Sequence, residues 1–114
     1  MDTCLFCKMA AGQIQPDKVH EDEHVLAFRD INPQAPVHIL VIPKVHIATL
    51  NDLDEGHREL VGRLYQAVGH IARREGIHER GYRVVMNCNA DGGQTVFHLH
   101  LHLLGGRQMT WPPG

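Results

Sequence analysis

The stretch VFHLHLHLL, Val96 to Leu104, constrains the fold more than any other part of the chain. Polar imidazoles alternate with apolar side chains, and only an extended strand sends successive side chains to opposite faces. Phe97, Leu99, Leu101 and Leu103 are expected to point one way, into a core. His98, His100 and His102 then share the other face. A solvated strand face would more commonly carry Thr, Lys or Glu, so three successive imidazoles call for a chemical explanation.

The chain has 114 residues, which sets a single domain, residues 1–114, as the expectation. Its formal charge of -2 provides no basic field, so long nucleic acid is not an expected partner. A small anion remains compatible, because backbone amides and histidines bind one locally. No apolar run approaches the ~20 residues of a membrane span. MDTCLFCKMAAG is too short, and too polar after Ala11, to read as a signal peptide, and no lipidation pattern is visible. A cytoplasmic protein is the expectation. Ten histidines are the unusual feature of the composition and point to metal or phosphate chemistry.

A short helix is predicted from Thr3 to Ala11, with Thr3 as its cap and Gly12 as its stop. DKVHEDEHVLAFRD reads as a hairpin turning at Glu21-Asp22-Glu23. The two prolines of INPQAP mark a loop, and the β-branched run Val37 to Pro43 a central strand. The longest helix is expected near Leu53 to Glu75, with Leu60, Val61, Leu64, Val68, Ile71 and Ala72 as its buried stripe. Asn51 or Asp52 is its expected cap, and Gly76 lies just past its end. Strands at Gly81–Cys88 and Val96–Leu104 flank a turn at NADGGQT. The pattern is α+β, with one short helix, one long helix and a mainly antiparallel sheet.

Two chemical readings of the histidine face remain open. His-x-His on a strand presents two nitrogens to one metal ion. Alternatively the central imidazole, substantially neutral near pH 7, is a nucleophile assisted by its neighbours. Gly92, Gly93, Gln94 and Thr95 form the turn just before it, where glycine lets backbone N–H groups approach a phosphate. Cys4-x-x-Cys7 has zinc-ligand spacing but supplies only half of a tetrahedral site. His46 and His98 are the best donors for the other half, and the plain alternative is two partly buried cysteines. Cys88 reads as structural, and His20, His24, His57, His70 and His78 receive no role.

HLHLHLL matches the His-x-His-x-His-x-x signature of the histidine triad superfamily. DINPQAPVHILVIPKVHI, Asp30 to Ile47, and GGQTVFHLHLHLLGGRQMTWPPG, Gly92 to Gly114, resemble its nucleotide-binding Hint branch, and the resemblance covers essentially the whole chain. It implies a five-stranded, mainly antiparallel sheet that becomes ten-stranded across a homodimer. It implies a hydrolase for purine nucleoside phosphoramidates and related aminoacyl adenylates, releasing a nucleoside monophosphate. A dinucleoside polyphosphate hydrolase, a non-catalytic nucleotide-binding scaffold, and a catalytic ion held by His98, His100 and His102 are the alternatives.

By the same resemblance His100 is the nucleophile, with His102 and His38 in support. Asn87, Gly93 and Thr95 correspond to phosphate or leaving-group contacts, and Thr95 stands where the family usually has serine. Asp30 corresponds to a ribose contact, and Leu5, Phe6, Met9, Ile14, Phe28 and Ile31 to the apolar slot for the base. Trp111 corresponds to a residue reaching the partner's site. Superfamily members with the N-terminal Cys-x-x-Cys hold zinc, which implies a structural Zn2+ on Cys4, Cys7, His46 and His98.

Overall fold

A computed structural model describes residues 3–114. In chain order it has α1 (Leu5–Ala10), β1 (Lys18–Glu21), β2 (Val25–Arg29), β3 (Val37–Pro43), α2 (Arg58–Arg74), β4 (Tyr82–Val85) and β5 (Leu101–Gly105). The five strands form one antiparallel sheet in the order β1-β2-β3-β5-β4, as the expected fold class requires. Among the described residues no helix is long and apolar enough to cross a membrane.

β2 and β3 lie at the interior of the sheet and are covered on both faces. That is why their sequences run apolar without alternation. On one face α2 packs Leu64, Val68 and Ile71 against Val25, Ala27, Ile39, Val41, Leu99, Leu101 and Leu103. On the other face Phe6 of α1 covers Leu26, Phe28, Leu40 and Ile42. The odd and even positions of β3 thus serve two different cores. His38 falls on the α1 side with Leu40 and Ile42, which aims it toward the histidine face of β5.

Several local expectations are corrected. α1 is capped by Cys4 rather than Thr3, because the Cys4 Sγ accepts the Cys7 N–H at 3.3 Å. α2 begins at Arg58, not Leu53. Thr49 and Asp54 each hold a separate 3₁₀ turn by accepting the N–H groups of Asn51 and Gly56 at 3.1 and 2.8 Å. Such local bonds compete with a continuous helix, so neither Asn51 nor Asp52 caps α2. The last strand also starts later than expected, at Leu101. Before it, the Leu99 N–H donates to the Ile47 carbonyl at 2.6 Å rather than to a sheet neighbour. Phe97 therefore escapes the core and is 49% exposed, while Leu99, Leu101 and Leu103 are buried as expected.

Candidate functional site

His98 and His100 precede β5, and His102 lies within it. The three do not converge on one ion. His98 is fully buried, its Nε2 donating to the Pro43 carbonyl at 2.8 Å and its Nδ1 turned toward the cysteines. The His100 Nδ1 donates to the His98 carbonyl at 2.7 Å, which leaves its Nε2 with the lone pair. Burial pushes the His100 pKa down and favours the neutral ring. The edge of Phe6 packs on this ring, with centroids 5.3 Å apart.

His102 lies beside His100, with ring centroids 5.0 Å apart. Its Nδ1 is 2.9 Å from the His38 Nε2. The His38 Nδ1 accepts the Gln34 backbone N–H at 3.0 Å, and its Nε2 lies 3.4 Å from an Asp30 carboxylate oxygen. Burial lowers the His38 pKa as well. Burial first, then the neighbouring His100 and His38, push His102 down to about 4. All three imidazoles are thus favoured in their neutral forms. The INPQAP loop supplies this geometry: the Asp30 carboxylate accepts the Asn32 N–H at 2.8 Å, forming an Asx turn that leads into Gln34.

A second cluster sits behind His100. Cys4, Cys7, His46 and His98 bring one donor atom each within 4.8 Å of one another. The Cys4 and Cys7 sulfurs lie 3.3 and 3.5 Å from the His98 Nδ1, and the Cys7 sulfur lies 3.2 Å from the His46 Nδ1. Tetrahedral bonds of about 2.0–2.3 Å separate neighbouring donors by roughly 3.5 Å, so the spacing suits a zinc ion. The single lone pair of the His98 Nδ1 faces two sulfurs and can accept from only one thiol, whereas a cation satisfies both. Burial, and then the adjacent Cys4, push the Cys7 thiol up. His98 joins the two clusters: its side chain faces the sulfurs while its carbonyl holds His100.

A cavity of about 460 Å³ opens in front of the histidines. Leu5, Phe6, Met9, Ile14, Phe28, Asp30, Ile31, Thr95, His100 and His102 all line it, so ten predicted site residues meet at one place. Ile31 stands fully exposed at the rim. Asn87, Gly93 and Trp111 do not line this cavity. The Asn87 side chain donates to the Gly92 carbonyl at 2.6 Å, and Gly93 takes a φ of 80° that suits glycine. Trp111 is 82% exposed and lies near β4 with Tyr82, Arg83 and Met86.

Sequence reasoning missed other lining residues, among them Gln15, Asp17, Arg29, Leu40 and Val96. The spacing of His38 and Leu40 on one strand was the available signal for Leu40. Sequence reasoning places Gln94 in the turn before the histidines but misses its burial, by which it ties that loop to its surroundings. Its amide donates to the Ala48 and Val96 carbonyls at 2.8 and 3.1 Å and accepts the Asn89 N–H at 2.9 Å.

The HIT domain pattern matches residues 11–109. A crystal structure of a HIT family hydrolase from Legionella pneumophila is 57% identical and superposes with a TM-score of 0.97, covering 98% of this chain and 100% of that one. A 14 kDa zinc-binding protein from Zea mays is 53% identical, covering 96% of this chain and 87% of the relative. A purine nucleoside phosphoramidase from Escherichia coli is 50% identical, covering 92% of this chain and 88% of the relative. Fold, histidine geometry and these likenesses agree: the chain belongs to the HIT domain family.

Proposed function

We propose that this chain is a nucleotide-binding hydrolase that cleaves purine nucleoside phosphoramidates and related aminoacyl adenylates. The observation that carries the reading is His100: its Nδ1 hydrogen is committed to the His98 carbonyl, so a neutral Nε2 lone pair is available beside a cavity of nucleoside size. The 50% identity to a purine nucleoside phosphoramidase supports the substrate class.

In the proposed reaction the His100 Nε2 attacks the α-phosphorus. With a phosphoramidate a P–N bond forms to the imidazole as the P–N bond to the amine breaks, and the amine leaves with a proton taken from solvent that the attacking water later replaces. With an aminoacyl adenylate the P–O bond breaks instead and a carboxylate leaves. Water then attacks the same phosphorus, releasing nucleoside monophosphate and restoring His100. His102, beside His100 and bonded to His38, meets the departing nitrogen or a phosphate oxygen. Thr95 at the cavity wall, with Asn87 and Gly93 on the adjoining loop, contacts the phosphate or the leaving group, where donors stabilise developing charge. The Asp30 carboxylate accepts ribose hydroxyl hydrogens. Leu5, Phe6, Met9, Ile14, Phe28 and Ile31 enclose the purine.

Cys4, Cys7, His46 and His98 would hold zinc in a closed four-donor site, whose contribution is structural. The likeness to a zinc-binding protein supports this assignment. It ties α1, with its Phe6, to the segment that carries His100. A second copy of the chain extends the sheet to ten strands and brings its Trp111 to the site.

Incubation with an adenosine phosphoramidate tests the reading. Release of AMP that is abolished by His100→Ala supports it. A His100→Ala protein with the unmodified rate overturns it.

A further inference from the structure

The Gln34 peptide lies at the head of a hydrogen-bonded chain that ends at the cavity. Its N–H donates to the His38 Nδ1 at 3.0 Å. An amide nitrogen carries hydrogen and has no lone pair to offer, so the His38 Nδ1 must be the acceptor. The one hydrogen of the neutral His38 ring therefore sits on Nε2. That atom faces two acceptors, the His102 Nδ1 at 2.9 Å and an Asp30 carboxylate oxygen at 3.4 Å. With the His102 Nδ1 accepting, the only hydrogen of a neutral His102 sits on its Nε2. That nitrogen has no protein partner among the described residues, and His102 lines the cavity.

We infer that the backbone amide of Gln34 is a positioning group that sets the tautomers of His38 and His102, so that His102 presents Nε2–H to the phosphate or its leaving group. The inference rests on the reading of His102 as the group that meets the departing nitrogen. His100 and His102 then hold opposite roles at their cavity-facing nitrogens. His100 keeps its hydrogen on Nδ1 through the His98 carbonyl and offers a lone pair, while His102 offers a hydrogen. A backbone donor suits the task because no side-chain rotation or titration can reverse it. The same chain argues against an ion shared by Asp30, His38 and His102: although their donor atoms lie within 4.8 Å of one another, the His38 Nε2 has no lone pair to give.

Nitrogen NMR of the ligand-free protein reads this directly, because an imidazole nitrogen bearing hydrogen resonates apart from one bearing a lone pair. The expected result is Nε2–H on both His38 and His102, and Nδ1–H on His100. A His102 carrying its hydrogen on Nδ1, or an even mixture of its tautomers, overturns the inference. Gln34→Pro removes the amide hydrogen. It is expected to mix the His38 tautomers and to lower kcat about 10-fold, with KM within about twofold. A folded Gln34→Pro protein with unchanged tautomers overturns the inference. Should that variant fail to fold, His38→Ala serves instead: His102 is expected to become a mixture, and a His102 still fixed as Nε2–H overturns the relay. The tautomers are read without substrate, so a protein inactive on phosphoramidates but with the expected spectrum loses only the functional reading. Phosphoramidase activity with the wrong spectrum removes only the relay.

Discussion

The carbonyl oxygen of His98 lies 2.7 Å from the Nδ1 of His100, while the ring of His98 turns its own Nδ1 to the sulfurs of Cys4 and Cys7 at 3.3 and 3.5 Å. One residue thereby joins the metal-type cluster by its side chain and the candidate nucleophile by its backbone. Loosening the cluster should disturb the nucleophile.

Replacement of both cysteines tests that link. Cys4→Ser with Cys7→Ser is expected to abolish zinc binding, measured by elemental analysis, and to lower the melting temperature. The loss of stability follows because metal binding to the folded state is folding free energy. Some hydrolysis should persist, since the closed site supplies no reacting group. Equal zinc content before and after substitution would refute the assignment of ligands.

Phe6 packs against both Phe28 and His100 at centroid distances of 5.4 and 5.3 Å and is buried. Phe6→Ala should destabilise the protein by about 3–5 kcal/mol in denaturant unfolding, from lost burial and the cavity left behind. KM for a purine substrate should rise, because the same ring forms a wall of the cavity.

Acidification should destabilise the fold through its neutral histidines. His38 and His102 both have folded-state pKa values below the ordinary 6.5, His102 at about 4. Between those values the unfolded chain binds more protons than the folded one, so their contribution is complete above about pH 6.5 and fades as pH falls toward 4. The melting temperature should drop between about pH 7 and about pH 5, by roughly 4 °C for each kcal/mol lost. A His102→Ala variant should lose less over the same interval.

Gly92→Ala checks the loop before the histidines. A β-carbon there would collide with the backbone carbonyl oxygen of Cys88, which no side-chain movement relieves. The expected cost is about 1–3 kcal/mol. Activity should fall as well, because the shift would propagate to Gly93, Gln94 and Thr95.

Much of the site was legible because chemistry and periodicity coincide. Alternation placed Leu99, Leu101 and Leu103 in the core, and half a tetrahedral site at Cys4 and Cys7 required two further donors. The structure supplies His46 and His98, the latter 94 residues from Cys4. What escaped was set by contacts that periodicity does not encode. Phe97 continues the alternating pattern, yet the Ile47 carbonyl draws the Leu99 amide away from the sheet before the strand begins. Thr49 looks like an ordinary loop residue and Asp54 falls inside the expected helix, but each forms a reciprocal cap that delays α2 to Arg58. Gln94 sits in what reads as a glycine-rich turn, and only the fold shows its amide buried among carbonyls.

The central claim is that His100 carries the nucleotidyl group during turnover. Rapid quenching of the protein with an adenosine phosphoramidate, followed by peptide mass spectrometry, tests it most directly. The peptide containing His100 should gain the mass of an adenylyl group at short times and lose it as AMP accumulates. An adduct on another residue, or AMP formed at the same rate by His100→Ala with no adduct, would contradict the account.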